Sequence, residues 1–244
     1  MVQTVLVTGG SRGIGSEIVR LFALKGYKVG FTYLNSGLEA RRLEESLRGR
    51  GLAVTAYKAD VSVREEVNAI VGSFEAENGK TDILVNNAGI AAQKLFTDIL
   101  EEDWDRMMAV NVKSLFNCCQ AVIPGMIRKK NGKVVNISSI WGITGASCEV
   151  HYSTAKAAVI GFTKALAKEL GPSGIQVNCV APGVIETDML SQLSTEDKKS
   201  LAEETPLMRL GTVTDVAESV FFLASPRADF ITGQVLSPNG GFCI

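Results

Sequence analysis

Seven short apolar runs, at 4–8, 28–33, 53–58, 83–86, 133–138, 176–181 and 234–237, punctuate this chain. Most are rich in Val, Ile and Leu without strict polar alternation, the pattern of strands buried on both faces. The sequence between them has helical periodicity. Val63, Val67, Ile70, Val71 and Phe74 mark one such face, and Val216, Val220 and Leu223 another. A βαβα order of this kind folds into a parallel sheet joined by right-handed crossovers. No linker, repeat or low-complexity tract divides the 244 residues. The expectation is therefore a single doubly wound α/β domain over 1–244, a seven-stranded parallel sheet with helices on both faces. Hydrophobic residues make up 46% and charged residues 21%, enough to bury such a core.

Charge and scarce residues narrow the function. Lys plus Arg is 25 and Asp plus Glu 26, so the net charge is −1 and no basic field gathers nucleic acid. No run approaches the roughly 18 apolar residues of a membrane span, and none has signal-peptide form, so a cytoplasmic protein is expected. A single histidine, His151, excludes sites needing two imidazoles. The five cysteines contain no Cys-x-x-Cys pair, so neither a disulfide framework nor a metal site is expected.

The first run leads into Thr8-Gly9-Gly10-Ser11-Arg12-Gly13-Ile14-Gly15, followed by a helix-period segment containing Ile18, Val19 and Phe22. Glycines let such a loop turn tightly and bring backbone N–H groups to a pyrophosphate, while the helix N-terminus adds partial positive charge. The spacing is Gly-x-x-x-Gly-x-Gly, and no Gly-Lys-Ser/Thr follows, which excludes a Walker loop. In doubly wound sheets the ligand crevice lies outside the carboxyl ends of the strands, and this loop follows the first of them. Nucleotide binding is the expectation.

Further along stand Asn86-Asn87-Ala88-Gly89, Ser139, Tyr152-x-x-x-Lys156 and Pro182-Gly183. Together with the glycine loop, these resemble, in order and spacing, the short-chain dehydrogenase/reductase family, and the likeness covers essentially the whole chain. The resemblance implies a Rossmann domain holding a nicotinamide cofactor. It makes Gly9, Ser11, Gly13, Ile14 and Gly15 the cofactor loop, sets Arg12 within that loop to pair with a 2′-phosphate, and puts Asp60 and Val61 at the adenine. Asn86, Ala88 and Gly89 then line the cleft, with Pro182, Gly183, Ile185 and Thr187 near the nicotinamide. It also implies a homotetramer built through the long helices after the fourth and fifth strands.

The reacting groups are legible as chemistry too. Ser139 follows the fifth strand, and Tyr152 and Lys156 share one helix face at i, i+4. A free tyrosine has a pKa of about 10. A neighbouring cation is expected to lower that by about 1–3 units, making Tyr152 a proton donor to a carbonyl. Ser139 would orient the substrate oxygen, and by resemblance Asn111 completes a tetrad. Singly, Tyr152 reads as packing and Lys156 as solvated; the combination points to catalysis. His151 beside Tyr152 suggests a hydrolase triad, but Ser138-Ser139-Ile140 lacks the glycines of a nucleophile elbow. It and Cys148 are expected to line the pocket.

Within the family the chain resembles bacterial 3-oxoacyl-(acyl carrier protein) reductases, through 185–189, 206–211 and 230–233. Runs at 138–142 and 145–150 also resemble the reductases of a ketone-modified lysine on elongation factor P. A non-catalytic nucleotide sensor is a third reading, opposed by the intact Ser139, Tyr152 and Lys156. Arg128-Lys129-Lys130 offers a basic landing site for an acidic carrier protein, although Pro172-Ser173 stands where those reductases often carry a second basic residue. The stretch 185–211 is too long for a connector and is expected to be a substrate lid. NADP(H) is the expected cofactor. The region roughly 20 residues beyond the glycine loop, including Asn35, lacks the carboxylate that selects NAD, and Arg12 stands ready for a 2′-phosphate.

Overall fold

A computed structural model describes residues 2–187 and 194–244. The strands are β1 (Thr4–Val7), β2 (Lys28–Tyr33), β3 (Val54–Lys58), β4 (Ile83–Asn86), β5 (Gly132–Ile137), β6 (Ile175–Val180) and β7 (Val235–Leu236). No strand end differs from the sequence expectation by more than one residue. They form one sheet in the order β3-β2-β1-β4-β5-β6-β7, and every pairing is parallel. The order reverses beside β1, which places a ligand crevice at the carboxyl ends of β1 and β4.

The helices are α1 (Gly13–Leu24), α2 (Gly37–Arg48), α3 (Arg64–Asn78), α4 (Glu101–Met108), α5 (Ser114–Lys129), α6 (Trp141–Thr144), α7 (Val150–Leu170), α8 (Thr195–Glu204) and α9 (Val213–Ala224). Strand side chains alternate between the two faces, so β1 serves two cores. Val5 and Val7 join Ile18, Val19 and Phe22 of α1 and Val216, Val220 and Leu223 of α9. Leu6 joins Val67, Val71 and Phe74 of α3, Cys118, Val122 and Met126 of α5, and Ala167 of α7. No helix among the described residues is long and apolar enough to cross a membrane.

One local feature departs from regular helix. Between α4 and α5 the chain makes a π-helical turn, Ala109–Lys113, with Asn111 at its centre. Such single wide turns occur mostly where a site needs a side chain displaced from the α-helical track.

Candidate active site

Six parallel strands deliver their following residues to one edge. The glycine loop leaves β1, Asn35 follows β2, Asp60 and Val61 follow β3, and Ala88 and Gly89 follow β4. Ser139 follows β5, and Pro182, Gly183, Ile185 and Thr187 follow β6. Topology thus brings these expected residues to one edge of the sheet, whereas Asn111, Tyr152 and Lys156 come from helical segments.

The glycine loop is shaped by close approach. Gly9 has φ +64°, and a Cβ there would lie 2.9 Å from Ala88 Cα. A Cβ on Gly15 would run into the Gly9 carbonyl and lie 2.5 Å from Asn87 Nδ2. Asn87 ties the loops together: its Nδ2 donates to Thr8 O and Gly9 O, both at 3.0 Å. The backbone N–H groups of Asn87 and Ala88 donate to Thr8 Oγ1, each at 3.0 Å. Across the crevice, a Cβ on Gly13 would reach Thr187 Cγ2 at 3.8 Å, so the loop leaving β6 closes over the start of α1. Beyond β3, Asn117 of α5 donates to Val61 O and Ser62 O at 3.2 and 3.1 Å. Asp60 accepts from Ser62 N and Oγ at 2.9 and 2.7 Å. The sequence reading assigns no role to Asn117, since its partners stand far away in the chain.

The side chain of Asn86 points into the sheet. Its side-chain Nδ2 donates to Asn136 Oδ1 at 2.9 Å, and Asn136 Nδ2 donates to Thr163 Oγ1 at 2.9 Å. The Asn86 Nδ2 thus starts a buried polar chain between strands and α7, while its Oδ1 is buried without a partner.

The reacting groups meet on α7 and the turn after β5. Ser139 Oγ accepts from Trp141 N at 3.2 Å. Ser138 Oγ donates to Lys156 O at 2.8 Å, and a Cβ on Gly142 would lie 2.6 Å from Lys156 C, so α6 packs directly against α7. Lys156 is buried, donates to Ile137 O at 3.1 Å and lies 5.6 Å from the Tyr152 ring centroid. Asn111 Nδ2 donates to Ile90 O and Met107 O at 3.0 and 3.1 Å, while its buried Oδ1 has no partner. A Cβ on Gly89 would lie 2.7 Å from that oxygen and 3.2 Å from Lys156 Nζ. Glycine therefore keeps open a small space bounded by both polar groups.

Electrostatics corrects one expectation. Burial pushes the Tyr152 phenol up to about 12, with the Ser139 hydroxyl opposing the rise and Glu149 adding to it. Burial also brings the Lys156 ammonium down to about 8. Desolvation of both groups outweighs the attraction expected from the lysine. His151 is corrected as well: it is 1% exposed, with Nδ1 unpartnered, and belongs to the interior and not to a pocket wall.

Beyond β2 lies a cleft of about 330 Å³ lined by Tyr33, Leu34, Asn35, Gly37, Arg41 and Lys58. Its lining holds two cations and no carboxylate. Arg41 comes from α2 and Lys58 from β3, and neither stands in a motif.

A family model described as enoyl-(acyl carrier protein) reductase matches residues 9–243. The chain belongs to the short-chain dehydrogenase/reductase family. Among curated members, it is 42% identical over 241 residues to the 3-oxoacyl-[acyl-carrier-protein] reductase FabG of Staphylococcus aureus, covering 99% of this chain and 98% of that one. The Staphylococcus epidermidis enzyme of the same name is also 42% identical over 241 residues, covering 99% of each chain. That of Chlamydia muridarum is 43% identical over 239 residues, covering 98% of this chain and 96% of its own. Membership makes this chain an oxidoreductase acting on carbonyl or hydroxyl groups and implies a nicotinamide cofactor. The glycine cradle and the space beside Gly89 fit such a group.

Two expectations concern segments at the margins. The expected lid, 185–211, lies partly outside the described residues. At its base, Ile185 pairs with Gly211, Glu186 N donates to Gly211 O at 2.8 Å and Gly211 N donates to Val184 O at 2.9 Å. The basic run 128–130 ends α5 at the amino edge of the sheet. Lys129 pairs there with Asp82 at 2.8 Å. A carrier docked on it faces away from this chain's own crevice by the length of β5, about 20 Å at about 3.3 Å per residue.

Proposed function

We propose that this protein is an NADPH-dependent reductase of 3-oxoacyl chains carried on acyl carrier protein. The observation that carries the reading is the meeting of Ser139, Tyr152 and Lys156 at the edge that also holds the glycine cradle. The names of its 42% identical relatives point to the same substrate. The cofactor, when bound, supplies a hydride; alignment and proton delivery fall to the protein.

Ser139 Oγ already accepts a hydrogen bond from Trp141 N–H, which leaves its own proton to donate to the ketone oxygen. Tyr152 stays protonated at neutral pH because its pKa is about 12. It still donates readily to an oxygen acquiring alkoxide character, since an alkoxide is a stronger base than a phenolate. Lys156, charged at neutral pH, stabilises the phenolate that remains. The unpartnered Asn111 Oδ1, across the Gly89 gap, accepts a donor that relays a proton towards Lys156.

Cofactor choice follows from the cleft beyond β2. A 2′-phosphate there meets Arg41 and Lys58, while Arg12 is exposed at the start of α1. No ion pair among the described residues engages these three cations. A charge-assisted bond contributes about 1.5–3 kcal/mol, so kcat/KM should favour NADPH over NADH by roughly ten- to a hundredfold. Steady-state turnover of an acetoacetyl thioester with each cofactor tests the reading. Arg12→Ala should reduce the preference, and the double variant Arg41→Glu, Lys58→Glu should abolish it. Equal use of both cofactors by the native enzyme would overturn the assignment.

A further inference from the structure

After β7 the chain turns back over the crevice. Gly183 N donates to Pro238 O at 3.1 Å, and a Cβ on Gly183 would lie 2.7 Å from Asn239 Cα. The tail therefore lies directly on the loop leaving β6. Asn239 organises the last residues of the chain. Its Nδ2 donates to Ser237 Oγ at 2.9 Å and to Cys243 O at 2.7 Å, and its Oδ1 accepts from Gly241 N at 2.8 Å. Phe242 N donates to Asn239 O at 3.1 Å. The turn needs left-handed backbone at Gly240 and Gly241, where φ is +65° and +89°. It brings the Phe242 ring edge-on to Trp141, with centroids 6.0 Å apart and planes at 77°.

Trp141 is the residue whose N–H holds Ser139 Oγ, and its neighbour Gly142 donates to Ser139 O at 2.9 Å. A tilt of α6 therefore moves the Ser139 hydroxyl. The other side of the tail grips the segment after α8. Leu207 N donates to Gly240 O at 3.1 Å. A Cβ on Gly240 would lie 2.6 Å from Thr205 Cγ2, and one on Gly241 3.0 Å from Pro206 Cγ. One strap thus runs from 205–207, past the loop leaving β6, to the turn that carries Ser139.

We propose that the C-terminal strap, residues 239–244, is a positioning element of the active site, in which Phe242 acts through Trp141 to hold the Ser139 hydroxyl in line with the substrate oxygen. The proposal rests on the reading of Ser139 as the group that orients a ketone. Phe242 touches no reacting atom, so its removal acts on geometry. Misplacement by about 1 Å at a reacting group costs up to about a hundredfold in rate.

The test compares Phe242→Ala and Phe242→Tyr with the native enzyme, on an acetoacetyl thioester with NADPH. Phe242→Ala should lower kcat about tenfold or more, leave the dissociation constant for NADPH unchanged and shift Trp141 emission, read in a Trp104→Phe background. Phe242→Tyr, which keeps the ring, should restore kcat. An active native enzyme whose Phe242→Ala variant keeps its kcat despite altered Trp141 emission would show a packing contact only and overturn the proposal. Loss of kcat together with NADPH affinity would show general collapse of the crevice and overturn it too. A native enzyme that reduces no ketone would overturn the functional reading first, and this proposal with it.

Discussion

Tyr152→Phe is expected to lower kcat for ketone reduction by about 10²–10⁴-fold, the usual range for removing a positioned proton donor. The phenyl ring keeps nearly the whole side-chain volume, and only the hydroxyl is lost. The melting temperature and the affinity for NADPH should therefore stay close to native. Consumption of reduced cofactor, followed by absorbance under saturating substrate, measures the effect. The Ser139 hydroxyl, still held by Trp141 N–H, remains to polarise the ketone and accounts for residual turnover. Near-native kcat in this variant would mean that another group delivers the proton.

Lys156→Met should be nearly as damaging, and its pH behaviour is distinctive. In the native enzyme Lys156 loses its proton near pH 8, so reduction should weaken as pH rises through that value. Lys156→Met, already slow, should show no such limb. Stability should respond in the opposite direction. The unfolded chain keeps this proton to about 10.5, whereas the folded chain keeps it only to about 8. Between those values the unfolded state binds more protons, so stability rises with pH. The thiols of Cys118, Cys119 and Cys179, raised by burial, act the other way in both proteins. Urea unfolding from neutral pH up to about pH 10, where tyrosines begin to titrate, should therefore show the native chain gaining stability relative to Lys156→Met as pH rises. Parallel curves would mean that Lys156 is not desolvated as the fold implies.

The sheet was legible because most of its strands, buried on both faces, are rich in Val, Ile and Leu, and segments of helical period separate them. The crevice followed from the same pattern, since parallel strands send their next residues to one edge. Other features had no local signal. The π-helical turn at Asn111 adds one residue to a helix, and no side-chain periodicity announces it. Arg41 and Lys58 face one cleft from different elements, which only the β2–β3 pairing reveals. Asn86 stood in a recognisable motif, yet its amide partner is Asn136 on the neighbouring strand. The pKa of Tyr152 moved upward because spacing reports which cation is near, whereas burial of both groups depends on the packing of α6 on α7.

Reduction of a carrier-bound 3-oxo group at the expense of NADPH is directly measurable. Mass spectrometry of acetoacetyl-(acyl carrier protein), incubated with enzyme and NADPH beside elongation factor P bearing the ketone-modified lysine, tests it most directly. The acyl chain should gain two hydrogen atoms for each NADPH oxidised, with native enzyme and not with Tyr152→Phe, while the elongation factor is left unchanged. An unaltered acyl chain beside a reduced elongation factor would contradict the proposed function.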